Sequence, residues 1–405
     1  MLFVFVSASL FCTAQKRTCG TNVLPHSEEE NHAQPKDVLL KLEDLPSGVI
    51  TIPVVVHVIH HDASSNPKIG TSSNISDNQI YSQIRVLNED FRRKQNTNGF
   101  NTWDIGADVE IEFCLASYSP TGEPTTGINR VYNSKTKWKT TDDRELKSLI
   151  MWPNDSYLNI WVTELEGVLG YARYPVGTSL YGIADQFDES LDGVVIDHRA
   201  FGTNGSATYL YNLGRTATHE IGHWFGLLHV WGGNEGDVCG DDYVQDTPWD
   251  EGPNNDTDCT DSSTCTGESV ADITSNYLDF SNDRCMNLFT KGQKQRMLQA
   301  IAQSPSRNKI LSSQGCALQR NDDFKVIIFP VPAKNILTIQ TQSIGYDEVE
   351  ILIRDYNGRI IFESKFDFTF QTDCQLNVSD FKNGFYVMKI RKDGQEKLFK
   401  FVVSH

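Results

Sequence analysis

The stretch "ATHEIGHWFGLLHVWGG", residues 217–233, places three histidines and one glutamate within eleven positions. On an α-helix, residues four apart lie one turn above each other, so His219 and His223 project from one face. Glu220 sits beside the first histidine, where its carboxylate reaches a water held between them. Gly226 follows three residues after His223, and glycine tolerates the left-handed conformation that ends a helix and turns the chain. That turn swings His229 back as a third ligand. Three imidazoles leave one tetrahedral position open, the arrangement of a catalytic zinc rather than a structural one. Zinc lowers the pKa of water towards ~7, and Glu220 is placed to take the proton as general base. An ordinary half-buried helix accounts for H-E-x-x-H alone, but not for a glycine and a third histidine at these offsets.

The rest of the chain sets the context. At 405 residues it is too long for one compact domain. A formal charge of −17 argues against a nucleic-acid partner, because phosphate backbones are bound through clustered Lys and Arg. The opening "MLFVFVSASLFCTAQ" has an apolar run and a small residue at Ala14, so residues 1–14 are expected to be a secretory signal peptide. No other apolar run approaches the ~20 residues that cross a bilayer. Residues 15–48, with "HSEEENHAQP", are polar and have little core of their own. Four of the nine cysteines, Cys239, Cys259, Cys265 and Cys285, cluster just after the histidine motif. In an exported chain they read as disulfide partners. A second zinc site is the competing reading, weakened by the lack of any C-x-x-C pair.

From Gly48 the texture becomes that of a folded domain. "GVITIPVVVHVIH" is a strand signal, and "SDNQIYSQIRVLNEDFRRKQ" opens at Ser76 as a helix with apolar residues near 3.6 spacing. "ADVEIEFCLA", "YLNIWVTEL" and "DGVVIDHRAF" read as further strands, with a helical stretch around "DDRELKSLIMW". The pattern predicts a mixed α/β sheet domain over 49–317 that contains the histidine helix. Over 322–405 the chain alternates apolar and polar residues around Asn357-Gly358 and Asp393-Gly394. Six or seven short strands there predict a small all-β sandwich.

HEIGHWFGLLH has the metzincin pattern. With "GRTATHEIGHWFGLLHVWGG", "IPVVVHVIH", "IEFCLASYSPTGEPTTGI", "YLNIWV" and "LGYARYP", the chain over about 50–300 resembles the pappalysin family of metalloproteases. The resemblance implies a metzincin-type zincin domain: a mixed twisted sheet with the active-site helix above, a loop-rich lower subdomain below. It implies an edge strand, placed here around Val194–Asp197, that binds substrate backbone. It also implies disulfides Cys239–Cys265 and Cys259–Cys285, and a calcium ion at "DDYVQDTP" with Asp242, Asp246 and Thr247 as oxygen donors. Read from the residues alone, that acidic stretch is a solvated loop.

Relatives carry a methionine turn, N-Y-M-D-Y, beneath the zinc. This chain reads "NYLDF", with Leu278 for the methionine and Phe280 for a tyrosine. Leucine fills a similar volume, so the floor is expected to survive. Loss of the tyrosine hydroxyl removes a group that in the family stabilises the oxyanion, and predicts reduced activity. Asp283 falls where basic-specific relatives place an aspartate in the pocket for the residue after the scissile bond, which predicts a preference for Arg or Lys. The other reading is a surface-loop aspartate. "KRTCGTN" resembles the family's latency motif and makes Cys19 the thiolate that holds the open zinc position in a zymogen whose pro-segment is 15–48. The competing reading pairs Cys19 with Cys114 or Cys316.

The C-terminal pieces "IIFPVPAKNILTI", "DYNGRII", "KNGFYVMKI" and "KLFKFVV" resemble the sorting domain of the type IX secretion system, departing at Val331, where asparagine is usual. This implies secretion machinery as a partner and an extracellular or cell-surface location. A substrate- or carbohydrate-binding sandwich is the alternative. Taken together, the sequence predicts a secreted zinc endopeptidase acting on proteins or peptides. The rival is a non-catalytic binding protein on a metzincin scaffold, motivated by Leu278 and Phe280.

Overall fold

A computed structural model describes residues 17–21, 45–183, 188–208, 210–232, 239–254, 259–260, 265, 272–316, 326–341, 346–368, 373–392 and 395–405. The leader 1–14 and most of 15–48 lie outside the described residues. The chain divides into two compact units, Met1–Ala317 and Leu318–His405.

The first unit is organised on β1 (Ile50–His60), whose run ITIPVVVHVIH is buried along nearly its whole length. Near-continuous apolarity is what a parallel strand covered on both faces requires. β1 pairs in parallel with β2 (Ile111–Leu115) over its first half and with β3 (Ile128–Tyr132) over its second. On its other side lies β4 (Leu158–Thr163), also parallel. The order continues through β6 (Val194–Asp197) to β5 (Gly170–Ala172), which runs antiparallel at the edge. β6 is therefore an interior strand, and the edge expected at Val194–Asp197 is instead β5. A three-residue strand carries too few alternations to be read from sequence.

Helix α1 (Asp77–Phe91) is capped by Ser76, whose side chain accepts from the Gln79 N–H, and it buries Ile80, Ile84, Leu87 and Phe91. A short helix α2 (Asp143–Ser148) follows. The histidine helix α3 (Arg215–Trp224) is buried on every face. Gly226 ends it at φ +88°, in the left-handed region glycine favours. Between Gly226 and Thr290 the described residues contain no helix or strand element. Disulfides Cys239–Cys265 and Cys259–Cys285 cross this loop region. Helix α4 (Lys291–Gln303) starts with a Thr290/Gln293 capping box, and α5 (Pro305–Lys309) follows. Cys114 on β2 is bonded to Cys316, a third disulfide the sequence reading did not pair.

The second unit has seven described strands: β7 (Val326–Phe329), β8 (Ile336–Thr341), β9 (Tyr346–Asp355), β10 (Ile360–Phe368), β11 (Asp373–Asn377), β12 (Gly384–Lys392) and β13 (Gln395–Val403). They form two antiparallel sheets, β10-β9-β12-β13 and β11-β8-β7. Alternate residues such as Tyr386, Met388 and Ile390 face a shared apolar core with Leu337, Ile351 and Phe401.

Candidate active site

Helix α3 carries the site, and its surroundings explain how it is held. Gly214, at φ +79°, turns the chain into it. Oδ2 of Asp283 accepts from the backbone N–H groups of Leu213 (2.8 Å) and Arg215 (3.2 Å), a carboxylate at the positive end of the helix dipole. On the core side, Arg215 pairs with Asp90 at 3.1 Å and Thr218 Oγ1 donates to Asp90 Oδ2 at 2.7 Å. Burial pushes Asp90 up to about 6, against the pull of Arg215.

His219, His223 and His229 are buried and converge. Nδ1 of His219 donates to the Tyr277 carbonyl at 2.7 Å, and Nδ1 of His223 to the Leu227 carbonyl at 2.8 Å. A carbonyl only accepts, so these contacts put the proton on Nδ1 and a bare lone pair on Nε2. Nε2 of His223 lies 3.1 Å from Nε2 of both His219 and His229. Lone pairs turned on one another at that range repel unless a cation sits among them. Zinc–nitrogen bonds of about 2.0–2.1 Å in a tetrahedron set ligand nitrogens about 3.3 Å apart, so the residues fit zinc. Burial keeps the imidazoles neutral: His223 is lowered to about 4, and His219 and His229 well below the usual range.

A cysteine joins the three histidines. Cys19 Sγ and one ring nitrogen from each histidine all lie within 4.8 Å of one another. Among the described residues, no other His, Cys, Asp or Glu group of three or more is gathered this way. Residues 17–21 lie along β5: Leu169 N–H donates to the Thr18 carbonyl and Gly20 N–H to the Gly170 carbonyl, both at 2.9 Å, in a parallel bridge of Cys19 with Gly170. Glu220 is buried beside them, and that burial raises its pKa to about 8. Its Oε2 is 3.4 Å from Cys19 Sγ and accepts from Thr21 Oγ1 at 3.1 Å. Thr21 Oγ1 in turn accepts from the Ala172 N–H at 2.9 Å. Nothing in the sequence singled out Thr21.

Arg17 is 2% exposed and reaches Asp283. Its Nη2 pairs with Asp283 Oδ1, Nε donates to the Ser281 carbonyl at 3.1 Å, and Nη1 to Thr216 Oγ1 at 3.2 Å. The guanidinium carbon lies 5.2 Å from the centre of the Tyr211 ring. Asp283 is thus buried, not a solvated loop aspartate.

Leu278 is fully buried under α3, its Cδ2 3.0 Å from where a Cβ on Gly222 would stand. Phe280 packs edge-on to His229, ring centres 5.0 Å apart, and 4.9 Å from Trp231. It keeps the wall of the site and lacks a hydroxyl.

The acidic loop is only partly gathered. Thr247 Oγ1 donates to Asp242 Oδ1 at 2.6 Å. Asp246 turns away to the start of α4, where its oxygens accept from Thr290 Oγ1 (2.6 Å) and Gly292 N–H (2.9 Å). Asp250, which the sequence reading passed over, is 1% exposed, and among the described residues its Oδ2 has no hydrogen-bond partner. Burial raises Asp242 and Asp250 to about 8, and Asp279 to about 7. Asp272 and Asp279 add like charge to Asp250.

A family profile described as pregnancy-associated plasma protein-A matches residues 140–302, and one described as secretion system C-terminal sorting domain matches 327–404. An extracellular metalloprotease of Arthroderma otae is 31% identical over 291 residues, 70% of this chain and 90% of its own length. One from Colletotrichum graminicola is 30% identical over 303 residues, 73% and 94%. Among solved structures, mirolysin in complex with compound 9 is 40% identical with a TM-score of 0.57, covering 65% of this chain and 97% of that one. A promirolysin mutant of Tannerella forsythia is 38% identical with a TM-score of 0.58, covering 68% and 88%.

Proposed function

The chain belongs to the pappalysin family and is a secreted or cell-surface metalloendopeptidase with a C-terminal sorting domain; from that premise we propose that it is made as a latent zymogen and cuts protein or peptide substrates before Arg or Lys. In this reading His219, His223 and His229 hold zinc, Glu220 is the general base, Cys19 is the latency switch and Asp283 reads the residue after the scissile bond. The observation that carries it is the double occupation of the cleft by residues 17–21: Cys19 at the three histidines and Arg17 on Asp283.

Zinc bound there supplies a Lewis acid that polarises the scissile carbonyl and acidifies the attacking water. Glu220, buried beside the three histidines, takes the proton from that water as its carboxylate and hands it to the leaving amine. Phe280 has no proton or hydrogen bond to offer the oxyanion, so turnover is expected below that of a tyrosine-bearing site.

The direction of the chain explains why the segment inhibits instead of being cut. Arg17 enters the pocket two residues before Cys19 reaches the histidines. A substrate with its basic residue after the scissile bond enters the same pocket on the C-terminal side of the metal. The pro-segment therefore threads the cleft backwards. Since it pairs in parallel with β5, a substrate in this reading pairs antiparallel. Loss of residues 15–48 frees the metal corner, the base and the pocket together.

Calcium belongs to the proposal as a stiffener of the loop region. Its support is the buried Asp250 Oδ2, without a hydrogen-bond partner among the described residues, and the raised pKa values of Asp242, Asp250 and Asp279, whose charges a divalent cation would neutralise. The non-catalytic alternative has no support from the site, which keeps Glu220 and three convergent imidazoles. The test is cleavage of a diverse peptide library by the activated protein with and without a zinc chelator, beside Glu220→Ala. The expected result is chelator-sensitive cuts before Arg or Lys, and a variant that retains zinc without cutting. Persistent cleavage by Glu220→Ala would remove Glu220 from its role.

A further inference from the structure

His223 is the ligand that its own helix supports least. Helix α3 ends at Trp224, one residue beyond it, so the imidazole stands in the last turn, whose carbonyls lack partners within the helix. A Schellman closure meets some of them: Gly226 N–H donates to the His223 carbonyl at 2.8 Å and Leu227 N–H to the Gly222 carbonyl at 3.0 Å. The Gly226 carbonyl is met from outside. Arg296, on α4 and 2% exposed, donates to it from Nε at 2.8 Å, and from Nη2 to the Tyr181 carbonyl at 2.6 Å. Each of these carbonyls belongs to a segment that touches His223. At the residue after Gly226, the Leu227 carbonyl accepts from His223 Nδ1 at 2.8 Å. Earlier in the Tyr181 loop, Tyr174 brings its hydroxyl to 3.4 Å from the same Nδ1, its ring edge-on to the imidazole with centres 5.7 Å apart. We infer that Arg296 is a positioning residue for His223: its guanidinium fork fastens the Gly226 turn to the Tyr181 loop, and so fixes both groups that stand against the outer nitrogen of this imidazole.

Packing alone does not account for an arginine here. Burial pulls the Arg296 pKa below its ordinary value, so the charge is costly to keep. Arg307, also buried, offsets that cost with a bidentate pair on Asp192, at 2.6 and 2.7 Å. Among the described residues Arg296 has only the two carbonyls as hydrogen-bond partners, and its Nη1 has none. What faces it is the carbonyl end of α3, where the helix dipole favours a cation. An apolar side chain would fill the space without the charge, but would leave both carbonyls unmet. The turn also lies directly against α4, since a Cβ on Gly226 would stand 3.3 Å from the Ala300 Cβ. Lysine offers a single point donor and can meet only one carbonyl at a time. Loss of an outer partner of a metal ligand costs roughly 10- to 100-fold in metal affinity or activity.

This rests on the reading that His223 holds zinc, and the experiment separates the two. Zinc release from the activated, zinc-loaded enzyme is followed by transfer to a chromogenic chelator, beside kcat and KM on one peptide. His223→Ala is the reference and should lose its zinc. Arg296→Lys is expected to release zinc roughly 10-fold faster and Arg296→Met up to roughly 100-fold faster, with kcat falling and KM within about twofold. Unaltered enzyme brought by urea to the stability of each variant should keep its own slow release. Variants that release zinc no faster than that urea-matched enzyme, or that raise KM at unchanged kcat, would overturn the inference and make Arg296 a packing residue. If Arg296→Met does not fold, the Arg296→Lys comparison decides alone. If His223→Ala keeps its zinc, the reading of the site fails and the inference with it. If His223→Ala loses zinc while both Arg296 variants hold it as the unaltered enzyme does, the site stands and the inference alone fails.

Discussion

Replacing Asp283 by Asn tests the pocket with the least disturbance to the helix it also supports. The amide oxygen of Asn can keep accepting from the Leu213 and Arg215 N–H groups, at 2.8 and 3.2 Å, so the start of α3 is expected to hold. What changes is the other side of the group, where Oδ1 faces a guanidinium in a pocket from which water is excluded. An NH₂ there has no lone pair for a donor and no charge. Removing one partner of a buried, hydrogen-bonded charge pair costs roughly 2–4 kcal/mol, about a 30- to 1000-fold change. The assay compares kcat/KM for two peptides, one with Arg after the scissile bond and one with citrulline, which keeps the shape without the charge. Asp283→Asn should lose that factor on the Arg peptide and little on the citrulline one, with thermal stability altered by less than about 1 kcal/mol. Equal loss on both peptides would refute the reasoning, because it would mean the substitution had disturbed α3 or the metal corner and not the charge reading. An unchanged Arg rate would refute it equally.

Three further outcomes follow from particular contacts. Gly170→Ala should depress kcat with little change in the folded fraction, since the new methyl would stand 2.9 Å from Glu220 Cγ and 3.0 Å from its Oε1 and must push the base aside; unchanged kcat at full zinc content would show that Glu220 tolerates the shift. Replacing Cys114 and Cys316 together by Ala should lower stability by up to about 5 kcal/mol, the chain-entropy value for a closed loop of 202 residues, measured by urea unfolding; a change below about 1 kcal/mol would show that the closed loop matters little to the unfolded chain. In cation-free protein, Asp250, with its folded pKa near 8 against about 3.9 unfolded, contributes stability that is fully present below pH ~4 and lost as pH rises through about 8. Calcium should suppress that loss, and Asp250→Asn should make the slope shallower, leaving the share of Asp242 and Asp279, and abolish the calcium effect; a calcium response that survives in the variant places the ion elsewhere.

The metal corner was legible because its signal is local. Ligands four apart on a helix, and a third after a glycine turn, are set by backbone geometry within eleven residues, so His219, Glu220, His223 and His229 could be named from the string. The central strand was equally plain, because β1 is buried on both faces and must be apolar throughout. The hairpin turn at Asn357-Gly358 announces itself for the same kind of reason, in that a positive φ of 83° at Gly358 selects the residue.

What tertiary structure alone decided are the meetings between distant segments. The edge strand is Gly170–Ala172 and not Val194–Asp197, because strand order is a property of the assembled sheet. Asp246 caps α4 instead of joining Asp242, since either use satisfies an aspartate equally well by composition. Cys114 found Cys316 across 202 residues. The pairing of Arg17 with Asp283, 266 residues apart, is the clearest case. Asp283 was named from the sequence and Arg17 was not; only folding brings a guanidinium, a carboxylate, a carbonyl, a hydroxyl and an aromatic face into one buried cluster, where low dielectric makes their contact energetically decisive.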